Sequence, residues 1–408
     1  MPQPYIGFAW ALRETLAHIL PGEKVKLPAS ACEGHVSAEK LYSRVDSPST
    51  NTSLKDGYAL RAADGERASG DSPQPLLVAG SAAAGQMESG ILQPGTAWRI
   101  LTGARLPEGA DTVVAEEFVT RTGDFLTLDR FTEKGRNILS RGSDAAAGEL
   151  LLDAGQRLTP GRIGLLVAGG HHQVTVYRKP AVALMATGDE ILLPGEPLAS
   201  GKLYASNLMT LNGWCRHFGF ATTLGVSGDR ASQLRERFRK ALETNDALVT
   251  SGGAWTGDKD LVAKVLDDLG WQKVYHRVRL GPGKAVGFGL LNGKPVFILP
   301  GGPPSNLVAF LQLALPGLQQ LGGCRAPGLA EVPAVLKETV SGQSDWTQVL
   351  FGTLKHGGQT LAFQPDGRPA SRLKSMADAE ALLLIPEGVD AFSANQTVTI
   401  QTLGGFQL

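Results

Sequence analysis

Cysteine is scarce and badly placed for chemistry. Only Cys32, Cys215 and Cys324 occur, far apart, odd in number and without CxxC spacing, so the chain encodes neither a disulfide framework nor a zinc ribbon and suits a reducing cytoplasm. Net charge is missing too: 39 Lys and Arg match 39 Asp and Glu, which leaves no positive field to gather a polyanion and disfavours nucleic acid as a partner. The first twenty residues lack a basic leader, and Arg13 and Glu14 interrupt the apolar pattern. They read as a surface helix with Ile6, Ala9, Leu12, Leu16 and Ile19 on one stripe, not as a signal peptide. No charged residue occurs from Pro295 to Cys324, yet PGGPPSN at 300–306 breaks that run into a short strand and a helix, which argues against a membrane partner.

Several catalytic signatures are absent. There is no GxxxxGK[ST], no GxGxxG opening a strand-to-helix turn, no HExxH and no GxSxG, so P-loop hydrolysis, dinucleotide binding and two familiar hydrolytic arrangements lose support. His171 and His172 are adjacent beside a Gly-Gly pair, and such neighbours cannot present two imidazoles to one metal from a helix face. They read as surface turn residues. No repeat of 20–50 residues is visible.

What is abundant is glycine, 51 of 408 residues against a usual share of about 7%. With 42% hydrophobic and 19% charged residues the chain has globular composition, so the excess belongs to loops with a task. Length suggests three or so domains. Residues 180–324 alternate short apolar runs with amphipathic stretches: strands at 181–186, 221–227, 246–251 and 295–300, and helices at about 206–218, 230–244, 259–269 and 304–320. That is an α/β multidomain protein with a central, doubly wound, mostly parallel α/β domain. Asn292-Gly293 predicts an edge hairpin. Residues 45–145 read as a small mixed or β domain, and 325–408 as a C-terminal β domain. Residues 1–44 with 146–179 are expected to form a discontinuous dimerisation or linker unit.

In a doubly wound sheet, ligands bind beyond the carboxyl ends of the strands. There the sequence places TGDE (187–190), GDR (228–230), SGGAWTGDKD (251–260) and PGGPPSN (300–306). Glycines let backbone N–H groups approach a ligand, and helix starts offer unpaired donors, so phosphate recognition is one reading and plain helix capping the other. The same edge gathers Asp189, Glu190, Asp229, Asp258 and Asp260. Like charges about 4 Å apart at an effective dielectric near 20 cost about 4 kcal/mol per contact. A Mg²⁺ ion would neutralise them; otherwise the acids cap helices and point outward. Lys284, in GPGKAVGFG, could meet an oxyanion or simply be solvated.

These motifs resemble the molybdopterin molybdenumtransferase family over nearly the whole chain. The resemblance runs through SLKDGYALRA (53–62), RILTGARLPEGADTVVAEE (99–117), GRNILSRGSD (135–144), ATGDEILLPGEPLASGKLYASN (186–207), SGGAWTGDKDLV (251–262), PGKAVGFG (282–289) and PGGPPSN. It implies an elongated homodimer of four-domain chains whose α/β domain is similar to the upstream molybdopterin adenylyltransferase. The implied reaction inserts molybdate into the dithiolene of adenylylated molybdopterin, releases AMP and requires Mg²⁺. The upstream adenylyltransferase and downstream molybdoenzymes are the implied partners. By the same resemblance Asp56, Thr102 and Asp144 line an intersubunit cleft and, with Lys284, are the catalytic candidates. Glu190, Asp229, Asp258 and Asp260 are the implied metal ligands. Thr187, Gly188, Ser251, Gly252, Gly253, Pro300, Gly301, Pro303 and Ser371 are the implied substrate-binding positions.

Four positions depart from the family pattern: Trp255 stands where a serine is usual, Gly281 for a lysine, Gly302 for an asparagine and Lys55 for a methionine. An indole fills space that a hydroxyl would leave, and loss of a lysine removes a cation, for which Arg279 is an expected substitute. Two readings therefore stand side by side, the Mg²⁺-dependent transferase and a divergent paralogue that keeps the dimer and binds a pterin or protein partner without inserting metal.

Overall fold

The computed structural model describes residues 5–69, 73–85, 90–253, 261–357, 360–367 and 372–404. At its centre lies a six-stranded sheet in the order Ala221–Ser227, Ala181–Thr187, Ala247–Ser251, Lys294–Leu299, Gly287–Leu291, Gln272–His276. The first four strands are parallel and the last two antiparallel. The inner strands are apolar almost without interruption because helices cover both faces. Val182, Leu184 and Ala186 point into one core with Leu208, Leu211 and the buried helical run from Leu307 to Leu318. Ala183 and Met185 point the other way, towards Leu234, Phe238, Val262 and Leu266.

Helices Ser206–His217, Ala231–Thr244 and Leu261–Asp268 follow the expected strands. The expected 304–320 helix runs from Pro303 to Leu321 with a π-helical stretch, Phe310–Ala314. That widening comes just before Pro316, whose ring carries no N–H for the helical ladder. The expected hairpin turns at Asn292 and Gly293, with φ of 52° and 76° as an Asn-Gly turn requires, but it is not at the edge, because Gln272–His276 pairs outside it. Among the described residues no helix is long and apolar enough to cross a membrane.

Residues 57–128 supply a second six-stranded sheet in the order Val119–Thr122, Phe125–Leu128, Leu76–Ala82, Thr96–Ile100, Gly57–Leu60, Thr112–Ala115. A three-stranded sheet joins Lys24–Pro28 and Val36–Ser37 to Gln173–Tyr177, segments far apart in sequence. Strands 331–336, 347–357, 360–365, 381–385 and 397–402 form most of a seven-stranded sheet. Ile6–Gly7 and Val278–Gly281 add two strands to it from outside 325–408. Helix Arg372–Asp378 was not foreseen.

Of the expected stripe, Ile6, Leu12 and Ile19 pack on the α/β core, but Ala9 of the N-terminal helix, Phe8–His18, does not. Ala11 and Thr15 are its buried residues, Ala9 is exposed, and Ala11 and Ile19 belong to the α/β core. The cause is the strand before it: Ile6 and Gly7 pair with Val278 and Arg279, which fixes where the helix starts. Thr15 Oγ1 then lies 2.7 Å from the buried Tyr275 hydroxyl. His171 also corrects the sequence reading, being 3% exposed with Nε2 2.8 Å from the Tyr42 carbonyl, while His172 is exposed.

Candidate active site

Strands Ala181–Thr187, Ala247–Ser251 and Lys294–Leu299 end side by side, so the loops that follow meet at one edge of the sheet. Close approach dictates glycine there. Gly252 has φ +95°, and a Cβ on it would lie 2.6 Å from the Thr187 carbonyl oxygen; Gly253, at φ +71°, would bring its Cβ to 2.2 Å from Val262 Cγ2. These loops border a cavity of about 710 Å³, a size within the roughly 300–1,000 Å³ of small-molecule sites.

Thr187, Glu190, Ser251, Gly252, Pro300, Gly301 and Pro303 all line this cavity. Gly188 and Gly253 lie in the same loops without lining it. The Thr187 hydroxyl is buried and has no hydrogen-bond partner among the described residues. An orphaned hydroxyl at the wall of a cavity is a ready contact for a ligand's polar group. Gly302 also lines the cavity, and a Cβ there meets nothing within 4 Å, so a larger side chain has room at this position.

The acids converge only in part. Asp189 Oδ1 accepts the Asp229 backbone N–H at 3.0 Å, drawing the 187–190 and 228–229 loops together. Burial first, then the charges of Asp189 and Glu190, push the Asp229 carboxyl above its ordinary range. Carboxylate oxygens are hard donors of the kind a divalent cation takes, although the Lys202 ammonium also reaches this loop, donating to the Asp189 carbonyl. Among the described residues no group of three or more His, Cys, Asp or Glu stands close enough to hold a metal. Asp258, Asp260, Trp255 and Ser371 lie outside the described residues.

Other candidates sit elsewhere. Asp56 and Thr102 meet in the loops just before Gly57–Leu60 and after Thr96–Ile100 of the second sheet, where the Thr102 N–H and hydroxyl donate to Asp56 Oδ1 at 2.6 and 2.8 Å. Asp144 is exposed and its backbone N–H donates to the Ser47 carbonyl. None of the three lines the cavity of its own chain. Lys284 is exposed in the loop beside the Pro303 helix start, where a Cβ on Gly283 would lie 3.5 Å from the Ser305 carbonyl oxygen. Arg279 does not stand in for the lysine lost at Gly281: its guanidinium pairs with Glu387 at 2.7 Å and donates to the Tyr5 carbonyl at 2.9 Å.

Two residues outside the sequence-derived candidates also bear on the cavity, Asn207 and Asn306. Both amides donate to Ser251 Oγ, at 3.2 and 3.0 Å. The available signal was an asparagine in the first turn of a helix beside a glycine loop, as in YASN and PPSN.

Comparison with known proteins agrees with this layout. A family model described as the MoeA N-terminal region (domain I and II) matches residues 6–170, and one described as a probable molybdopterin binding domain matches residues 183–320. The chain is 30% identical over 371 residues to the molybdopterin molybdenumtransferase of Staphylococcus epidermidis, covering 90% of this chain and 88% of that one. Identity to the Bacillus subtilis molybdopterin molybdenumtransferase is 32% over 359 residues, 86% and 84% of the two chains. A crystal structure of the molybdopterin biosynthesis MoeA protein from Pyrococcus horikoshii is similar at a TM-score of 0.83 and 27% identity, over 98% of this chain and 100% of that one.

Proposed function

Because the chain belongs to the molybdopterin molybdenumtransferase family and so to molybdenum cofactor biosynthesis, we propose that it inserts molybdate into the dithiolene of adenylylated molybdopterin, with release of AMP, in a Mg²⁺-dependent reaction in the cytoplasm. The observation that carries this reading is the cavity at the strand ends, sized for a pterin and walled by Thr187, Ser251, Gly252 and the 300–303 turn.

Ser251, Thr187 and the backbone of Gly252 hold the substrate through its oxygen atoms. Glu190 and Asp229, joined in sequence by Asp258 and Asp260, hold Mg²⁺. That ion, when bound, offsets charge on the phosphoanhydride that joins AMP to the pterin. Lys284 meets the developing oxyanion from the loop beside the Pro303 helix. Asp56, held by Thr102, and Asp144 act across a homodimer cleft on the cavity of the partner subunit, in keeping with their absence from the cavity lining of their own chain. The substrate comes from the upstream adenylyltransferase and the product passes to molybdoenzymes.

The test mixes purified protein with adenylylated molybdopterin, molybdate and Mg²⁺ and measures AMP. Release that requires molybdate and is lost in Asp260→Ala is the expected result. Tight pterin binding without AMP release overturns the transferase reading.

A further inference from the structure

Four hydrogen bonds on the cavity floor fix the direction of one hydroxyl. Asn306 is 1% exposed, and its amide nitrogen donates to the Pro300 carbonyl at 2.8 Å and to Ser251 Oγ at 3.0 Å. The Asn207 amide nitrogen donates to the Gly301 carbonyl at 2.8 Å and to the same Ser251 Oγ at 3.2 Å. A carbonyl oxygen can only accept, so Pro300 and Gly301 decide which end of each amide faces inward: the NH₂. Each nitrogen carries two hydrogens, one for the carbonyl and one for Ser251. The serine oxygen has two lone pairs and one proton. With both lone pairs engaged by asparagines only the proton is left, and no acceptor takes it among the described residues. Ser251 is 5% exposed and lines the cavity, as does Thr187 with its unpartnered hydroxyl.

We infer that Asn207 and Asn306 are positioning residues that hold Ser251 as an obligate hydrogen-bond donor, so that the cavity floor selects an acceptor oxygen, anionic or carbonyl, on the pterin substrate. A ligand group that offers only a proton at that point leaves two hydrogens facing each other and is rejected. The inference rests on the reading of this cavity as the pterin site.

Two measurements test it. Neutron diffraction from deuterated, ligand-free protein is expected to show two amide deuterons on Ser251 Oγ and the hydroxyl deuteron directed into the cavity. A hydroxyl deuteron aimed at either asparagine Oδ1 overturns the inference. Titration with molybdopterin is expected to show binding weakened about 10- to 100-fold in Ser251→Ala and in Asn306→Leu. The double variant should lose no more than the worse single, since Asn306 acts through Ser251. Additive losses overturn the inference. Asn207 is only half-buried, so Asn207→Ala repeats the cycle if Asn306→Leu does not fold. Wild-type protein that binds no molybdopterin, with the neutron result as expected, removes the pterin reading and leaves the donor geometry standing.

Discussion

Thr102 holds Asp56 by a single oxygen: its backbone N–H at 2.6 Å and its hydroxyl at 2.8 Å both donate to Oδ1, while Oδ2 has no partner among the described residues. The backbone donation first and the hydroxyl second keep this exposed carboxyl below its ordinary range. A carboxylate so held is ionised at neutral pH and has one oxygen ready to accept. Thr102→Val deletes the hydroxyl donation and keeps the backbone one, so the Asp56 pKa should move up towards the ordinary value, as followed by carbon-13 NMR titration. AMP release should fall about tenfold, the equivalent of one hydrogen bond. An unmoved titration curve refutes the assignment. A depressed folded pKa stabilises the protein above the unfolded value, and that contribution is lost as pH falls through the folded pKa; the valine variant narrows this window.

Asp229 has the opposite sign. Burial and the charges of Asp189 and Glu190 raise its pKa, so the folded chain binds a proton there more readily than the unfolded chain. Stability from that proton is present below the unfolded pKa and is lost as pH rises through the folded one. Asp229→Asn should therefore raise the melting temperature at neutral pH and have little effect in acid. Mg²⁺ should lower the Asp229 pKa in wild-type protein and leave it unchanged in Glu190→Gln. A melting temperature independent of Mg²⁺ at neutral pH speaks against a cation beside these two acids.

The α/β sheet was legible because burial on both faces demands unbroken apolar runs, and Val182 to Ala186 and Leu248 to Val249 write that demand directly into the sequence. The hairpin at Asn292-Gly293 was legible because few residue pairs accept two positive φ angles in succession. The burial of Ala11 and Thr15 with Ala9 left exposed was not, since it depends on Ile6 pairing with Val278, a contact between distant segments. His171 is buried for a similar reason: its Nε2 lies against the Tyr42 carbonyl from another part of the chain. At the site, glycine marks where backbones approach each other. The direction of the Ser251 hydroxyl depends on the Pro300 and Gly301 carbonyls, which no local pattern reveals.

Asp246 ties the α/β sheet to the strand that leads into it. Both its oxygens accept from Arg178 at 2.9 Å, and Oδ2 also accepts the Ala181 N–H at 2.8 Å. Burial raises its pKa, but the bonds from Arg178 and Ala181 outweigh burial and leave it lowered. Asp246→Ala should cost about 1 to 2 kcal/mol in urea unfolding at neutral pH, the lower part of the range because solvent screens this half-exposed pair. Since the folded pKa is depressed, wild-type protein keeps this stability above the unfolded pKa and loses it as pH falls through the folded one. The gap between the two proteins should close in acid. A gap independent of pH means that packing, not the ion pair, carries the effect.

Gly252 offers the sharpest separation of cavity shape from charge. At φ +95° a side chain is strained, and a Cβ would stand 2.6 Å from the Thr187 carbonyl oxygen, which is backbone and cannot swing aside. Gly252→Ala must therefore push the strand ends of Thr187 and Ser251 apart, at a cost of about 1 to 3 kcal/mol and with loss of the registered donors on the cavity wall. Molybdopterin binding should weaken by at least tenfold, while the Asp56 titration, beside the other sheet, stays where it is. Gly302→Ala is the control: its Cβ meets nothing within 4 Å, so stability should change by less than about 0.5 kcal/mol. Equal damage from the two alanines would show that the 252 turn has no special role in shaping the chamber.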